Sequence, residues 1–258
     1  MKFTRSILLF LIICLSTASA PSYVTFEETQ KKFDRVNDAY NRKEEYFYMK
    51  CRNKEIPEET FGKMFIRVFK QEEILEIWVQ KANGKYILFN ELKVYSMSGL
   101  PGPKRRQGDS QVPEGYYHIN DFNPLSNYHL SLGINYPNQS DRRLSTASNL
   151  GGDIYIHGGK SSAGCVAMSN YYIEDIYLAA VKARTNGQMN IPVHIYPFKP
   201  TVINYEYYTR VPALAKYAKF WKNLQMGFQL FERTNKVPEV TVGADGYYIY
   251  SDAVTVLR

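Results

Sequence analysis

At Met64 the hydrophobic period of this 258-residue chain switches, and that switch limits its fold more than any other feature. Upstream, apolar residues recur at helical spacing. From there, Met64–Phe69 and Ile74–Lys81 alternate and are rich in β-branched and aromatic side chains, as strands are. Asn83-Gly84 then marks a hairpin turn, because both residues tolerate positive φ. Lys85–Met97 reads as further strand. A loop dense in turn residues follows, LPGPKRRQGDSQVPEG, and after it Tyr116–Ile119, His129–Ile134, Asp153–His157 and Val193–Tyr196 again read as strands. Short strands separated by turn signals predict a mainly β fold, a sandwich or barrel rather than a βαβ array.

Helices are expected at both flanks and once within the strands. Thr25-Phe26-Glu27-Glu28 fits a capping box, and an amphipathic helix is expected through about Lys43, with Phe26, Phe33, Val36 and Tyr40 on its apolar side. Pro57 and Gly62 then punctuate the chain. Asn170 is the expected N-cap of an inserted helix whose stripe is Ile173, Ile176, Tyr177, Ala180 and Val181, stopped at Asn186-Gly187. After Pro200, the residues Leu214, Tyr217, Trp221, Leu224, Phe228 and Phe231 form a docking stripe, and a strand pair around Ala244-Asp245-Gly246 closes the chain. The expected divisions are a signal peptide over 1–20, an N-terminal helical extension over 21–62, a β domain with an inserted helix over 63–198, and a C-terminal helix and strand pair over 199–258.

The first twenty residues fix the expected compartment. Lys2 and Arg5 precede the apolar run Ile7–Leu15, and Ala18-Ser19-Ala20 provides small residues for cleavage after Ala18 or Ala20. The run is too short for a resident spanning helix, so export to the periplasm or cell envelope is expected. Cleavage would remove Lys2 and Arg5, lowering the formal charge from +7 to +5. In an exported chain that basic excess points to the polyanions of the envelope surface rather than to nucleic acid. Lys104-Arg105-Arg106 and Arg142-Arg143 are short, sit among turn residues, and read as solvated loops. Of the three cysteines, Cys14 leaves with the signal, and no bridge is expected between Cys51 and Cys165. A disulfide framework is excluded.

Chemistry concentrates in Asp153–Asn170, DIYIHGGKSSAGCVAMSN. A strand delivers His157 at its end, Gly158-Gly159 turn the backbone sharply, and Cys165 follows eight residues after the histidine. A thiol is a strong nucleophile once deprotonated, and an imidazole within reach is the natural base. Gly164 lets backbone N–H groups approach a substrate carbonyl, the makings of an oxyanion hole. A buried structural thiol beside a hydrogen-bonded histidine is the competing reading. Ser161 and Ser162 are weaker nucleophiles at neutral pH. A metal site is disfavoured, because His118, His129 and His194 are scattered and a catalytic zinc needs three protein ligands.

These residues resemble the L,D-transpeptidase catalytic domain family (YkuD-like), whose signature is a His, a spacer and Ser/Thr-His-Gly-Cys. His157, Ser162, Gly164 and Cys165 supply the match. The spacer is only four residues, Ala163 replaces the second His, and Ala167 stands where Arg or Asn often follows. Ser162 to Ser169, SAGCVAMS, is similar to the murein transpeptidase, YafK-like branch of the family. So are Gly99–Lys104, Pro113–Tyr116, Tyr136-Pro137-Asn138 and Phe220-Trp221, and the likeness extends over Met64 to Tyr250.

The resemblance implies a β-sandwich of the L,D-transpeptidase type, peptidoglycan stem peptides as partners and no cofactor. It implies Cys165 as nucleophile, His157 as general base and then acid, the Gly158 carbonyl orienting His157, and Gly164 and Cys165 N–H groups at the oxyanion. Ser162, Tyr136 and Asn138 are the implied substrate-binding residues, with a core or turn role the favoured competing reading of Tyr136 and Asn138. Acyl transfer through a thioester is the leading reading; hydrolysis of stem peptides through the same thioester is the alternative. A noncatalytic wall-binding protein is disfavoured, since a retired site has no reason to keep a reactive thiol.

Overall fold

A computed structural model of the chain describes residues 23–57 and 61–251. The expected signal segment, with Cys14, lies outside them. In chain order the helices and strands are α1 (Phe26–Gln30), α2 (Asp34–Asn53), β1 (Met64–Phe69), β2 (Ile74–Gln80), β3 (Tyr86–Lys93), β4 (Ser96–Met97), β5 (Gly115–Asn123) and β6 (Ser131–Ile134). Then come α3 (Gln139–Leu144), β7 (Tyr155–His157), β8 (Val166–Ala167), α4 (Ser169–Thr185), β9 (Ile191–Tyr196), α5 (Val202–Thr209), α6 (Ala218–Thr234), β10 (Val240–Val242) and β11 (Tyr248–Tyr250).

Nine strands join in one mixed sheet, ordered β3-β2-β1-β9-β5-β6-β7-β8-β4, with β10 and β11 paired separately. The strands expected to divide between two layers are thus hydrogen-bonded continuously. Laid flat, nine strands would span roughly 38 Å between edges at about 4.8 Å per strand. Yet the edge strands β3 and β4 are joined by Val94 and Tyr95 alone, a link that reaches about 11 Å at most. The sheet must therefore curl until its edges approach. Val94 donates to Glu73 O beside one edge and Tyr95 to Ala167 O beside the other, at 2.7 and 2.9 Å.

Strand β1 shows why the period changed at Met64. All six of its residues are buried, because both faces are covered. Met64, Ile66 and Val68 join the main core with Val36, Tyr40 and Phe47 of α2 and the apolar stripe of α4. On the opposite face Phe69 packs with Phe220, Trp221, Leu224 and Phe228 of α6, and Phe65 packs with Phe231. Arg67 enters that second layer paired with Glu76 and Glu232, both at 2.7 Å. A two-sided strand buries a continuous apolar run, worth about 25 cal/mol per Å² removed from water.

Several sequence expectations are met and some are revised. The capping box forms as read: Thr25 N donates to Glu28 Oε2 at 2.7 Å and Glu28 N to Thr25 Oγ1 at 3.1 Å. The single helix to Lys43 is instead two, broken before Asp34 and continued to Asn53 so that Phe47 and Cys51 are buried. The expected N-cap Asn170 lies inside α4, whose N-cap is Met168. The Lys104 and Arg105 loop is an internal brace: Lys104 is buried against Asp109 at 2.7 Å, and Arg105 pairs with Asp141 at 2.8 Å. Among the described residues, no helix is long and apolar enough to cross a membrane.

Candidate active site

Two short parallel strands carry the expected nucleophile and base. Strand β7 pairs with β6 and β8, with Ile156 opposite Val166 and His157 opposite Ala167. That register puts His157 at the end of one strand and Cys165 just before the next. Both side chains line one cavity of about 270 Å³, with Asn123, Ser126, Tyr128 and Asp153 also on its wall.

His157 is buried and its Nδ1 lies 2.5 Å from Gly158 O. A carbonyl oxygen only accepts, so Nδ1 carries the proton and Nε2 is left as the acceptor. The Tyr128 ring covers the imidazole at 4.6 Å between centroids. Burial lowers the His157 pKa below its ordinary value, and the Gly158 carbonyl partly offsets this. The glycine is required: a Cβ on Gly158 would lie 2.5 Å from Tyr128 O and 2.8 Å from Asn170 Oδ1. That same Asn170 oxygen accepts from Gly159 N at 2.8 Å, so the residue expected to cap the helix instead braces the histidine turn.

The Cys165 thiol donates to Asp153 O at 3.6 Å and accepts from Tyr155 N at 3.4 Å; neither partner is His157. Burial raises the thiol pKa above its ordinary value, the Tyr155 N–H lowers it, and Asp153 raises it further. At neutral pH the resting pair is therefore neutral thiol and neutral imidazole.

The loop that presents Cys165 is held by two serines. Gly164 sits at φ +104, and its N–H donates to Ser98 Oγ at 2.6 Å. Ser162 Oγ donates to Cys165 O at 2.7 Å and accepts from Ser98 N at 3.2 Å. A backbone-tied thiol and a histidine with its Nδ1 committed thus line the same cavity.

The L,D-transpeptidase catalytic domain, YkuD, matches residues 75–203. YafK of Escherichia coli (strain K12), a protein named as an L,D-transpeptidase, is 35% identical over 202 residues, covering 77% of this chain and 78% of YafK. The chain belongs to the L,D-transpeptidase family. Among solved structures, the helical cell shape determining protein Pgp2 from Campylobacter jejuni overlaps loosely, with a TM-score of 0.41 and 18% identity over 74% of this chain and 78% of that one. Bd1075 of Bdellovibrio bacteriovorus overlaps with a TM-score of 0.40 at 16% identity, over 74% of this chain and 86% of that one.

In this L,D-transpeptidase domain the structure brings His157, Gly158, Gly164, Cys165 and Ser162 together and uses the other expected residues elsewhere. Tyr136 is buried, its hydroxyl donating to Leu150 O at 3.2 Å and reaching Lys104 O at 3.4 Å. Asn138 caps α3, accepting from Asp141 N, and donates to Tyr116 O at 2.9 Å and Tyr248 OH at 3.0 Å. Both are consumed by scaffold, away from the cavity. Ser162 likewise shapes the loop, and Gly164's N–H is committed to Ser98. His129 is also engaged elsewhere. Its ring nitrogen bonds to Glu174 at 2.8 Å. Among the described residues no cluster of His, Cys, Asp or Glu fits a metal ion. Sequence reasoning missed Tyr128, Ser98 and Asn170 as site residues; Tyr128 and Ser98 reach the site from distant segments, and Asn170, at the end of the Asp153–Asn170 segment, reads from sequence only as a helix cap.

Proposed function

We propose that this chain is an exported, cysteine-dependent peptidoglycan-modifying enzyme that transfers acyl groups of stem peptides through a thioester on Cys165. The observation that carries the reading is the shared cavity, which His157, pinned through Nδ1 to Gly158 O, and Cys165 both line. His157 takes the thiol proton while Sγ attacks a stem-peptide carbonyl carbon. The carbonyl π electrons move to oxygen, and a tetrahedral oxyanion forms. With Gly164 N–H engaged by Ser98, the N–H of Cys165 is the donor for that oxyanion, and Gly164 serves by its φ.

Collapse breaks the carbonyl–nitrogen bond, and His157 returns the proton to the leaving amine. An acceptor amine then attacks the thioester, losing its proton to His157, and the thiol is restored. The catalytic unit spans 63–198, flanked by the extensions over 21–62 and 199–258, and works at the envelope. Incubation with defined tetrapeptide muropeptides, with and without an amine acceptor, tests the reading. Exchange or cross-linked products by mass support transfer; trimmed products alone assign hydrolysis; unchanged muropeptides overturn both.

A further inference from the structure

The family match begins at residue 75, so helix α2 lies outside it, yet α2 reaches directly to the wall of the catalytic cavity. Arg35 Nη1 donates to Ser126 O at 2.5 Å and to His129 O at 3.1 Å, drawing together the two ends of a four-residue bend. Arg42, two turns further along α2, donates through Nη2 to Glu174 Oε1 at 2.7 Å, and the same oxygen bonds His129 Nε2 at 2.8 Å. His129 itself stands at φ +73, a backbone conformation that a Cβ disfavours. It is held there from both ends, its carbonyl by Arg35 and its ring by Glu174.

This bend carries Tyr128, which lies over His157, and Tyr128 O is the atom that would block any Cβ on Gly158. A strained residue fixed by charged partners next to a catalytic group is how folds hold a site in one geometry. We propose that Arg35, Arg42 and Glu174 are positioning residues: through the bend at 126–129 they hold Tyr128 against His157 and the Gly158 carbonyl, so that the N-terminal extension sets the geometry of the catalytic base. The proposal rests on the reading of His157 as base.

The test compares the wild-type chain with Arg35→Ala, Arg35→Lys and Glu174→Gln at a temperature well below each melting point. The readouts are kcat and KM on tetrapeptide muropeptide, the His157 ring titration by NMR, and the alkylation rate of Cys165. Tyr128, Asp153, Tyr155 and Cys165 are the other titratable groups on the cavity wall. Arg35→Ala is expected to lower kcat by about tenfold or more, the scale of a misplaced catalytic group, with KM changed less. The His157 pKa should move up toward its ordinary value as the Tyr128 cover loosens, and Arg35→Lys should recover part of both. A lower melting temperature with kcat and the His157 titration unchanged would reduce the helix to a structural role and overturn the proposal. If wild type leaves muropeptides untouched, the ring titration and alkylation still decide the positioning claim while the functional reading falls.

Discussion

Replacing Gly158 by alanine attacks the contact that, in the proposed mechanism, orients His157 as the base. The added Cβ would sit 2.5 Å from Tyr128 O, 2.8 Å from Asn170 Oδ1 and 3.1 Å from His129 Cβ. All three neighbours are tied down, Asn170 by Gly159 N, the Tyr128 bend by Arg35, and His129 by Arg35 and Glu174, so the peptide of Gly158 must tilt instead. Overpacking of this kind costs about 1–3 kcal/mol of stability. The tilt also weakens the bond from Nδ1 to Gly158 O, which strengthens when the ring becomes positively charged in the transition state. Hydrogen bonds to charged groups are worth about 1.5–3 kcal/mol. At 1.36 kcal/mol per decade, kcat should fall by about ten- to 150-fold. Steady-state kinetics on a tetrapeptide muropeptide, with calorimetry on the same samples, measures both effects. A Gly158→Ala protein with wild-type kcat and melting temperature would refute the claim that this carbonyl orients the histidine.

Other consequences follow from burial and charge. His157 and His118 are pushed below their ordinary pKa by burial and His194 well below it, so the unfolded chain binds more protons under pH 6.5. Stability contributed by these groups is full above pH 6.5 and is lost as pH falls through their folded values. Asp141, pushed up to about 6 by burial against the pull of Arg105, works in the opposite sense, losing stability as pH rises through that value. Thermal melts of wild type between pH 8 and 5 should therefore show the melting temperature falling, and an unchanged one would contradict the three-histidine account. Iodoacetamide alkylation of Cys165 should keep rising beyond pH 9, because burial holds the thiol protonated; a plateau from pH 6 would indicate a standing ion pair with His157. Glu114 is fully buried, accepting from Lys70 at 2.9 Å, Gly102 N at 2.6 Å and Trp221 Nε1 at 2.8 Å. Glu114→Ala strands the buried Lys70 charge and should cost about 3–5 kcal/mol by urea denaturation; a loss under 1 kcal/mol would contradict that.

What the sequence disclosed was what lies close together along the chain. The capping box at Thr25 and Glu28, the turn at Asn83-Gly84 and the α6 stripe each depend on neighbours within a few residues, and each formed. His157, Gly158 and Cys165 were legible because one eighteen-residue segment holds them. Two classes of feature were not. Contacts between distant segments, such as Ser98 on Gly164, Arg35 on the 126–129 bend and Tyr128 over His157, leave no period and no spacing to read. Sheet closure also escaped: Val94-Tyr95 looks like the continuation of a strand, and only the strand order shows that it bridges two edges. Tyr136 and Asn138 take the core and turn roles that competed with a place in the groove, and the sequence left both readings open for a related reason. Polar side chains in a turn-rich segment look the same whether they face a substrate or satisfy buried backbone groups.

The central claim is that Cys165 forms the thioester and His157 drives its formation. Intact-protein and peptide mass spectrometry after rapid mixing with a tetrapeptide stem tests it most directly. The expected result is an adduct on the Cys165 peptide equal in mass to the stem less its C-terminal amino acid. The adduct should accumulate more slowly in His157→Gln and be absent, with no turnover, in a folded Cys165→Ala protein. Turnover that persists in Cys165→Ala, with no adduct on wild type, would contradict the account.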